Sequence, residues 1–286
     1  MRTTGVDRFA TLLYGIGEAA RYLAVPPSTL TTWAYGYQRH RPGGGMVRAD
    51  PVITATRPTL RHDPAMPFIG LAEAYALAAF RHADVPMHRI RPAIDALDRQ
   101  LGLSHALASR RLYTDGAEVL YDYAQHAGGT PEGEIARELV VVRNNQRVFT
   151  EAVEQYLSRV DFSSDGYARL IRLPQYRVAE VTVDPDHAFG RPRFARGGAS
   201  LDDVIDLFRA GEPVDVVAEE FGLTRDEVED AIRASSREAA SQNWPILMKE
   251  KRIRTRQAEI ETVVENKARC FAHGQPKSVA PQDTAG

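Results

Sequence analysis

Hydrophobic positions recur at helical spacing near both ends of the chain, with a more strand-like middle between them. Ile16, Ala19, Ala20 and Leu23 line one apolar face of a helix. Val25-Pro26-Pro27 stops it, since proline lacks an amide hydrogen and turns its predecessor away from helical backbone. Ser28 then suits an N-cap, and Leu30 and Trp33 form the buried side of a short second helix. Residues 70–83 predict another helix, with Leu71, Tyr75, Ala78 and Phe80 inward, broken by Asp84-Val85-Pro86. Residues 87–101 give the best amphipathic segment: Met87, Ile90, Ile94, Leu97 and Leu101 follow the spacing of a seam, and Gly102 ends it. Such a short seam argues for a packed helix pair or dimer contact more than for a free coiled coil.

The middle of the chain is mixed. Residues 139–142 read as a strand with Asn144-Asn145-Gln146 as its turn. Residues 148–160 read as a helix with Phe149, Val153, Tyr156 and Leu157 inward. Asp165-Gly166 marks a hairpin turn between strands at 160–162 and 168–173, and 178–183 is a further strand ended by Asp184-Pro185. Helices return over 199–235. Ser200 caps the first and Gly211 closes it; Pro213 opens the second and Gly222 closes it; Thr224 caps the third, with Glu227 placed for a capping box. Leu201, Val204, Ile205 and Phe208, then Val216, Val217 and Phe221, then Val228 and Ile232 would share one small core. Beyond residue 260 periodicity fades; 249–256 is a basic run and 275–286 predicts a disordered tail.

These elements predict a mainly α chain with minor β. A helix-turn-helix and a helical hairpin occupy 9–110, a mixed α/β connector 111–184, an acidic three-helix bundle of helix-turn-helix type 185–240, and a basic, then disordered, tail 241–286. The second N-terminal helix leaves Ser28, Thr29, Thr31, Thr32 and Tyr35 on its outer face, a set suited to groove edges and phosphates. Residues 38–67 are rich in proline and glycine, with strands expected at 46–47 and 52–54; beside a reading helix such a loop serves as a wing. Arg21, Arg39, Arg41 and Arg48 supply the nearby positive charge. The pattern alone also fits an ordinary helical hairpin.

Charge separates the two helical regions. The formal net charge is -2, so contact with DNA has to come from a local patch. Residues 199–235 carry Asp202, Asp203, Asp206, Glu212, Asp215, Glu219, Glu220, Asp226, Glu227, Glu229 and Asp230 against Arg209, Arg225 and Arg233. Phosphates repel such a surface, so the second bundle reads as a protein-contact module or a solvated acidic face. The lone Cys270 excludes an internal disulfide framework and fits a cytoplasmic protein. No apolar run approaches the ~20 residues that span a bilayer, and MRTTGVDRFA lacks the core of a secretory signal. The histidines are scattered, and no phosphate loop or nucleophile elbow is present, so neither a metal site, a cofactor nor an enzymatic activity is expected.

Several blocks together carry a resemblance: LYGIGEAARYLAVPPSTLTTW at 13–33, FIGLAEAYALAAFRHADVPMHRIRPAIDAL at 68–97, LYTDG at 112–116, VEQYLSRVDFSSDGYA at 153–168, and VDPDHAFGRPRF from 183. In them the chain resembles VapB-type antitoxins that join a MerR-like helix-turn-helix to a small helical domain of uncharacterised role. The resemblance implies an autoregulating antitoxin that binds operator DNA and silences a PIN-like ribonuclease toxin encoded in the same operon; two-fold operator sites and the Met87 to Leu101 seam point to a dimer. Such a nuclease gathers carboxylates around divalent metal, and an antitoxin arginine can occupy that cluster through charge-assisted bonds. The candidates are Arg191, Arg193 and Arg196 in the GRPRFARGG loop, favoured, and Arg252, Arg254 and Arg256 in the tail. One departure stands out: MerR-like reading helices usually carry Arg after the leucine, where this chain has Thr31. The competing expectations are a stand-alone MerR-like regulator sensing a small molecule through 112–235, and a pure interaction scaffold.

Overall fold

The computed structural model describes residues 5–40, 44–60, 63–82, 91, 94–95, 97, 102, 104–112, 115–117, 120, 140–143 and 146–236. Residues up to Ser235 belong to one compact unit, and the architecture below is that of this unit. Strand β1 (Leu12–Tyr14) leads into α1 (Ile16–Tyr22) and α2 (Pro27–Tyr35). Glu18, at the third position of α1, accepts the amide of Gly15 (3.3 Å) and so satisfies one free donor of the helix start. Ala24 takes left-handed backbone (φ 52°) where the chain turns from α1 to α2. The expected N-cap at Ser28 is displaced: Pro26 holds that position in extended backbone, and Pro27 opens the helix, where a missing amide hydrogen costs nothing. Ala19, Ala20, Leu23, Leu30, Trp33 and Ala34 are buried between the two helices and the rest of the core.

Gly36 has to be glycine. Its φ is +65°, and a Cβ there would lie 2.1 Å from the carbonyl oxygen of Ala49. This turn sends the chain into an antiparallel hairpin of β2 (Tyr37–His40) and β3 (Met46–Ala49). The strand expected at 52–54 is absent: the Val52 amide is spent on the Trp33 carbonyl (2.8 Å), Ile53 is buried, and the Thr54 amide donates to Glu73 (2.5 Å). The chain then returns through β4 (Met66–Pro67), which pairs with β1.

Helix α3 (Phe68–His82) starts two residues before the expected position, directly after Pro67. Residues 68–80 are buried on every side, so this helix is the core of the unit rather than one face of it. Gly70 lets the Thr54 carbonyl approach, since a Cβ would sit 2.0 Å from that oxygen. A 3₁₀ turn (Ala106–Ala108) and α4 (Glu151–Leu157) pack on α3. The helix expected over 148–160 is therefore only its middle: 148–149 belong to β6 (Gln146–Phe149), paired with β5 (Val140–Arg143), and residue 160 begins the next strand. Gln146, expected in the turn, lies inside β6.

A four-stranded antiparallel sheet follows, in the order β10-β9-β8-β7, formed by β7 (Val160–Phe162), β8 (Ala168–Arg172), β9 (Val181–Val183) and β10 (Arg193–Phe194). The β7–β8 hairpin turns at Asp165-Gly166 with Gly166 at φ +84°, as the dipeptide predicts. Helices α5 (Leu201–Arg209), α6 (Val214–Phe221) and α7 (225–236) complete the unit. The Ser200 hydroxyl accepts from the Asp203 amide (3.4 Å), Gly222 closes α6 in left-handed backbone, and Thr224 with Glu227 forms the reciprocal capping box at 2.8 and 3.3 Å. Val216 departs from its expected inward position; it is 46% exposed, and Ala218 is buried instead. The boundary expected at 184/185 falls inside the sheet, because β9 and β10 pair across it.

Candidate nucleic-acid and partner interfaces

The α2 surface carries hydroxyls and no charge. Ser28 and Thr31 are exposed, Thr29, Thr32 and Tyr35 half-buried. Thr31 and Thr32 already donate their hydroxyl hydrogens to the carbonyls of Pro27 (2.8 Å) and Ser28 (2.9 Å). Outward they offer lone pairs and methyl groups, while Ser28 and Thr29 make no side-chain hydrogen bond among the described residues. Pro26 and Pro27 remove two amides from the helix start, so an anion there would be met by hydroxyls rather than by a row of N–H groups.

The basic residues are distributed less tightly than the sequence suggests. The Arg21 guanidinium lies 5.7 Å from the Tyr22 ring centroid. Arg48 is exposed and pairs with Asp50 (3.0 Å), an interaction that water and salt weaken. Arg48 is in register with Gln38, and Arg39 with Val47, so the two arginines belong to adjacent rungs of the hairpin. The Arg39 side chain and all of Arg41 lie outside the described residues. One further cation joins them that the sequence does not single out: Arg57 sits 4.8 Å above the Tyr35 ring, and Tyr35 donates to the Thr56 carbonyl (3.3 Å). Burial raises the Tyr35 hydroxyl above its ordinary range, against the opposing pull of Arg57. No spacing rule points to Arg57, since it comes from a loop folded back along α2.

Behind α1, Tyr22 donates to Glu18 (2.6 Å), and burial, aided by this bond, holds its hydroxyl well above the usual tyrosine range. Tyr14 is 1% exposed, and its hydroxyl has no hydrogen-bond partner among the described residues. It abuts Gly190, where a Cβ would lie 2.1 Å from the tyrosine oxygen. A cleft of about 590 Å³ opens beside it, between β1 and the start of α5, and Phe189 and Arg191 form part of its rim.

The three favoured loop arginines part company. Arg196 pairs with Glu227 (3.3 Å). Arg193 lies in β10, half-buried, with a buried Nε that has no hydrogen-bond partner among the described residues. Arg191 is exposed and makes no ion pair among the described residues. Arg252, Arg254 and Arg256 lie outside the described residues. Of the expected dimer seam, Ile94 (2% exposed) and Leu97 (0%) are packed in the chain's own core, so these two positions are corrected to internal packing. Met87, Ile90 and Leu101 lie outside the described residues.

The acidic bundle is not uniformly a solvated face. Glu227 (8% exposed) serves the capping box, and Asp230 (2%) accepts the amides of Arg177, Val178 and Ala179. Asp203, Asp206, Asp215, Glu219, Glu220 and Asp226 remain exposed. Among the described residues no group of His, Cys, Asp and Glu could hold a metal ion, and no helix is long and apolar enough to cross a membrane.

Comparison with known proteins assigns the two halves separately. Residues 12–94 match the family described as "Putative DNA-binding HTH domain", and residues 181–233 match a "Protein of unknown function (DUF433)". The chain is 47% identical to "Putative antitoxin VapB45" of Mycobacterium tuberculosis over 229 residues, 79% of this chain and 95% of that protein. It is 25% identical over 225 residues to "Uncharacterized protein Rv2308" of the same organism, covering 77% of this chain and 88% of that one. The crystal structure of Rv2018 from M. tuberculosis superposes with a TM-score of 0.69 at 45% identity, covering 79% of this chain and 99% of that chain.

Proposed function

Since this chain belongs to the family of the M. tuberculosis protein named "Putative antitoxin VapB45", we propose that it is the antitoxin of a toxin–antitoxin pair. In this reading residues 9–110 form a MerR-like module that binds the operator of its own operon. Residues 185–240 form an antitoxin domain that neutralises a PIN-like ribonuclease, and residues 111–184 join the two. The observation that carries the DNA half is local. An uncharged helix with hydroxyls on its free face is followed at once by a β-hairpin, through a turn that only glycine permits. A helix of this kind can lie in a groove without charge repulsion, and the hairpin reaches the flanking backbone.

Affinity then rests on cations beside the helix, namely Arg21, Arg39, Arg41, Arg48 and Arg57, with Ser28, Thr29, Thr31, Thr32 and Tyr35 facing the groove. Operator symmetry calls for two copies, with Met87, Ile90 and Leu101 as the remaining dimer positions. The toxin half rests on the relative's name and on the arginine loop that leads into the bundle.

The test has two parts. Fluorescence anisotropy with the operon's promoter DNA, across a salt series, is expected to give specific binding. Arg39, Arg41 and Arg48 changed together to alanine should weaken it and flatten the salt slope by about 0.9 for each phosphate left unneutralised. Co-expression with the adjacent gene product, followed by intact-mass analysis of the eluate, is expected to yield a stoichiometric complex whose nuclease activity is silenced. An eluate containing this chain alone, with nuclease activity unaffected, rejects the antitoxin reading.

A further inference from the structure

The turn after β9 holds an aromatic side chain in water and spends backbone strain to do so. Ala188 and Phe189 take consecutive left-handed backbone (φ 48° and 53°), a conformation that side chains with a Cβ disfavour. Hydrogen bonds hold the turn in place: the Gly190 amide donates to the His187 carbonyl (2.9 Å) and the Arg191 amide to that of Ala188 (3.1 Å). The Asp184 carboxylate takes the Asp186 amide (2.9 Å) and meets the His187 ring (2.9 Å). Gly190 rests on the buried Tyr14 ring, which leaves the turn no room to collapse inward. Phe189 is thereby 76% exposed, and Arg191, two residues on, carries a charge that no described residue neutralises.

We propose that Phe189 and Arg191 are the docking point for a protein partner whose surface offers an apolar hollow with a carboxylate beside it. A pre-set aromatic and an unpaired arginine are the composition of interface hot spots, and a rigid turn loses little freedom on binding. The partner is a protein surface rather than a small molecule, because a ligand confined to the neighbouring cleft would leave most of the Phe189 ring in water. Charge fixes the polarity of the match. Arg191 calls for an acid, and Asp203, which lines the same cleft, disfavours one beside itself. The identity of the partner as the toxin rests on the antitoxin reading; the docking surface itself rests on the turn. It selects Arg191 among the loop arginines, since Arg196 already pairs with Glu227 and Arg193 is tied into β10.

The test places the photo-crosslinker p-benzoylphenylalanine in place of Phe189 in the full chain, co-expressed with the adjacent gene product. Phe189→Ala and Arg191→Glu are measured in parallel for co-purification, melting temperature and promoter binding. A crosslink to the nuclease is expected, with affinity reduced at least tenfold by Phe189→Ala and more by Arg191→Glu, while melting and promoter binding stay unchanged. Stoichiometric co-purification of the nuclease with no crosslink, and with both variants binding as wild type, overturns the docking surface and leaves the antitoxin reading standing. A crosslink to a different, identified protein, lost in Arg191→Glu, with the nuclease neither co-purifying nor silenced, upholds the surface and removes the antitoxin reading. No partner and no crosslink overturns both.

Discussion

At the scale of single residues, Asp230 is the side chain on which the C-terminal helices depend. One of its oxygens accepts three successive amides, from Arg177 (2.6 Å), Val178 (2.8 Å) and Ala179 (3.1 Å), so α7 fastens the loop that leads into β9. Burial pushes its carboxyl up, but the three amides and nearby Arg233 outweigh burial and hold it below the ordinary range. A carboxyl depressed in the folded state stabilises the fold above its unfolded pKa and loses that contribution as pH falls through the folded value. The Asp230 contribution is therefore complete at neutral pH and fades in acid. Asp230→Ala is expected to cost about 2–4 kcal/mol, since charge-assisted bonds are lost and three amides lose their partner. Urea titrations at pH 7 and near pH 3 provide the check, and the difference between variant and wild type should shrink at the acid end. Gly36→Ala is a second residue-scale case. It should destabilise by more than about 1 kcal/mol, because the backbone is left-handed there and the new Cβ meets the Ala49 carbonyl. It should also weaken promoter binding by unseating the hairpin, which parallel melting and anisotropy measurements would register.

At the scale of elements, the α2 surface carries no charge of its own. Its sequence, PSTLTTWAY, contains no charged residue, and two of its hydroxyl hydrogens are spent on its own backbone. Thr31 is exposed at the position where MerR-like helices usually place arginine. Thr31→Arg is expected to raise promoter affinity and to steepen the salt dependence by about one phosphate equivalent. An unchanged slope in salt-dependent anisotropy would mean that this face does not meet the DNA backbone. Elements whose signals are local were legible in the sequence: the α1–α2 pair, the Asp165-Gly166 hairpin, the Ser200 cap and the Thr224–Glu227 box. Those governed by distant contacts were not. Helix α3 has no polar stripe to phase it, because it is buried all round. Strand β10 is two residues long and exists through its pairing with β9. Arg57 reaches Tyr35, and Asp230 reaches residues 177–179, across separations that periodicity does not register. Phe189 reads in sequence as one more apolar residue before a glycine; only the backbone shows that it is held outward.

At the scale of the molecule, the two regions matched by separate families are joined through shared structure. Tyr14 of the first region packs on Gly190 of the second, and, outside both, Arg8 pairs with Asp165. Between β7, β8 and the loop before β9, Arg172 binds both oxygens of Asp161 (2.8 and 2.9 Å) and also Glu180 (2.8 Å). The hydrogen bonds to Arg172 hold Asp161 below the ordinary carboxylate range, so this pair too acts above acid pH. A cut at residue 184 would expose the buried Val181, Val183 and Tyr14 and leave β9 without one neighbour. A fragment of residues 1–184 is therefore expected to aggregate or to unfold well below a fragment of residues 1–236. The longer fragment should unfold in a single transition, with fluorescence and circular dichroism coinciding. Such coupling bears on control. A partner seated on the Phe189 turn presses on a segment backed directly by Tyr14, at the end of the strand that enters α1. Binding there is therefore expected to be felt by the N-terminal helix-turn-helix through this contact. If 1–184 instead folds alone and binds promoter DNA as tightly as 1–236, the two halves are energetically independent, and any effect of a partner on DNA binding must arise from another contact.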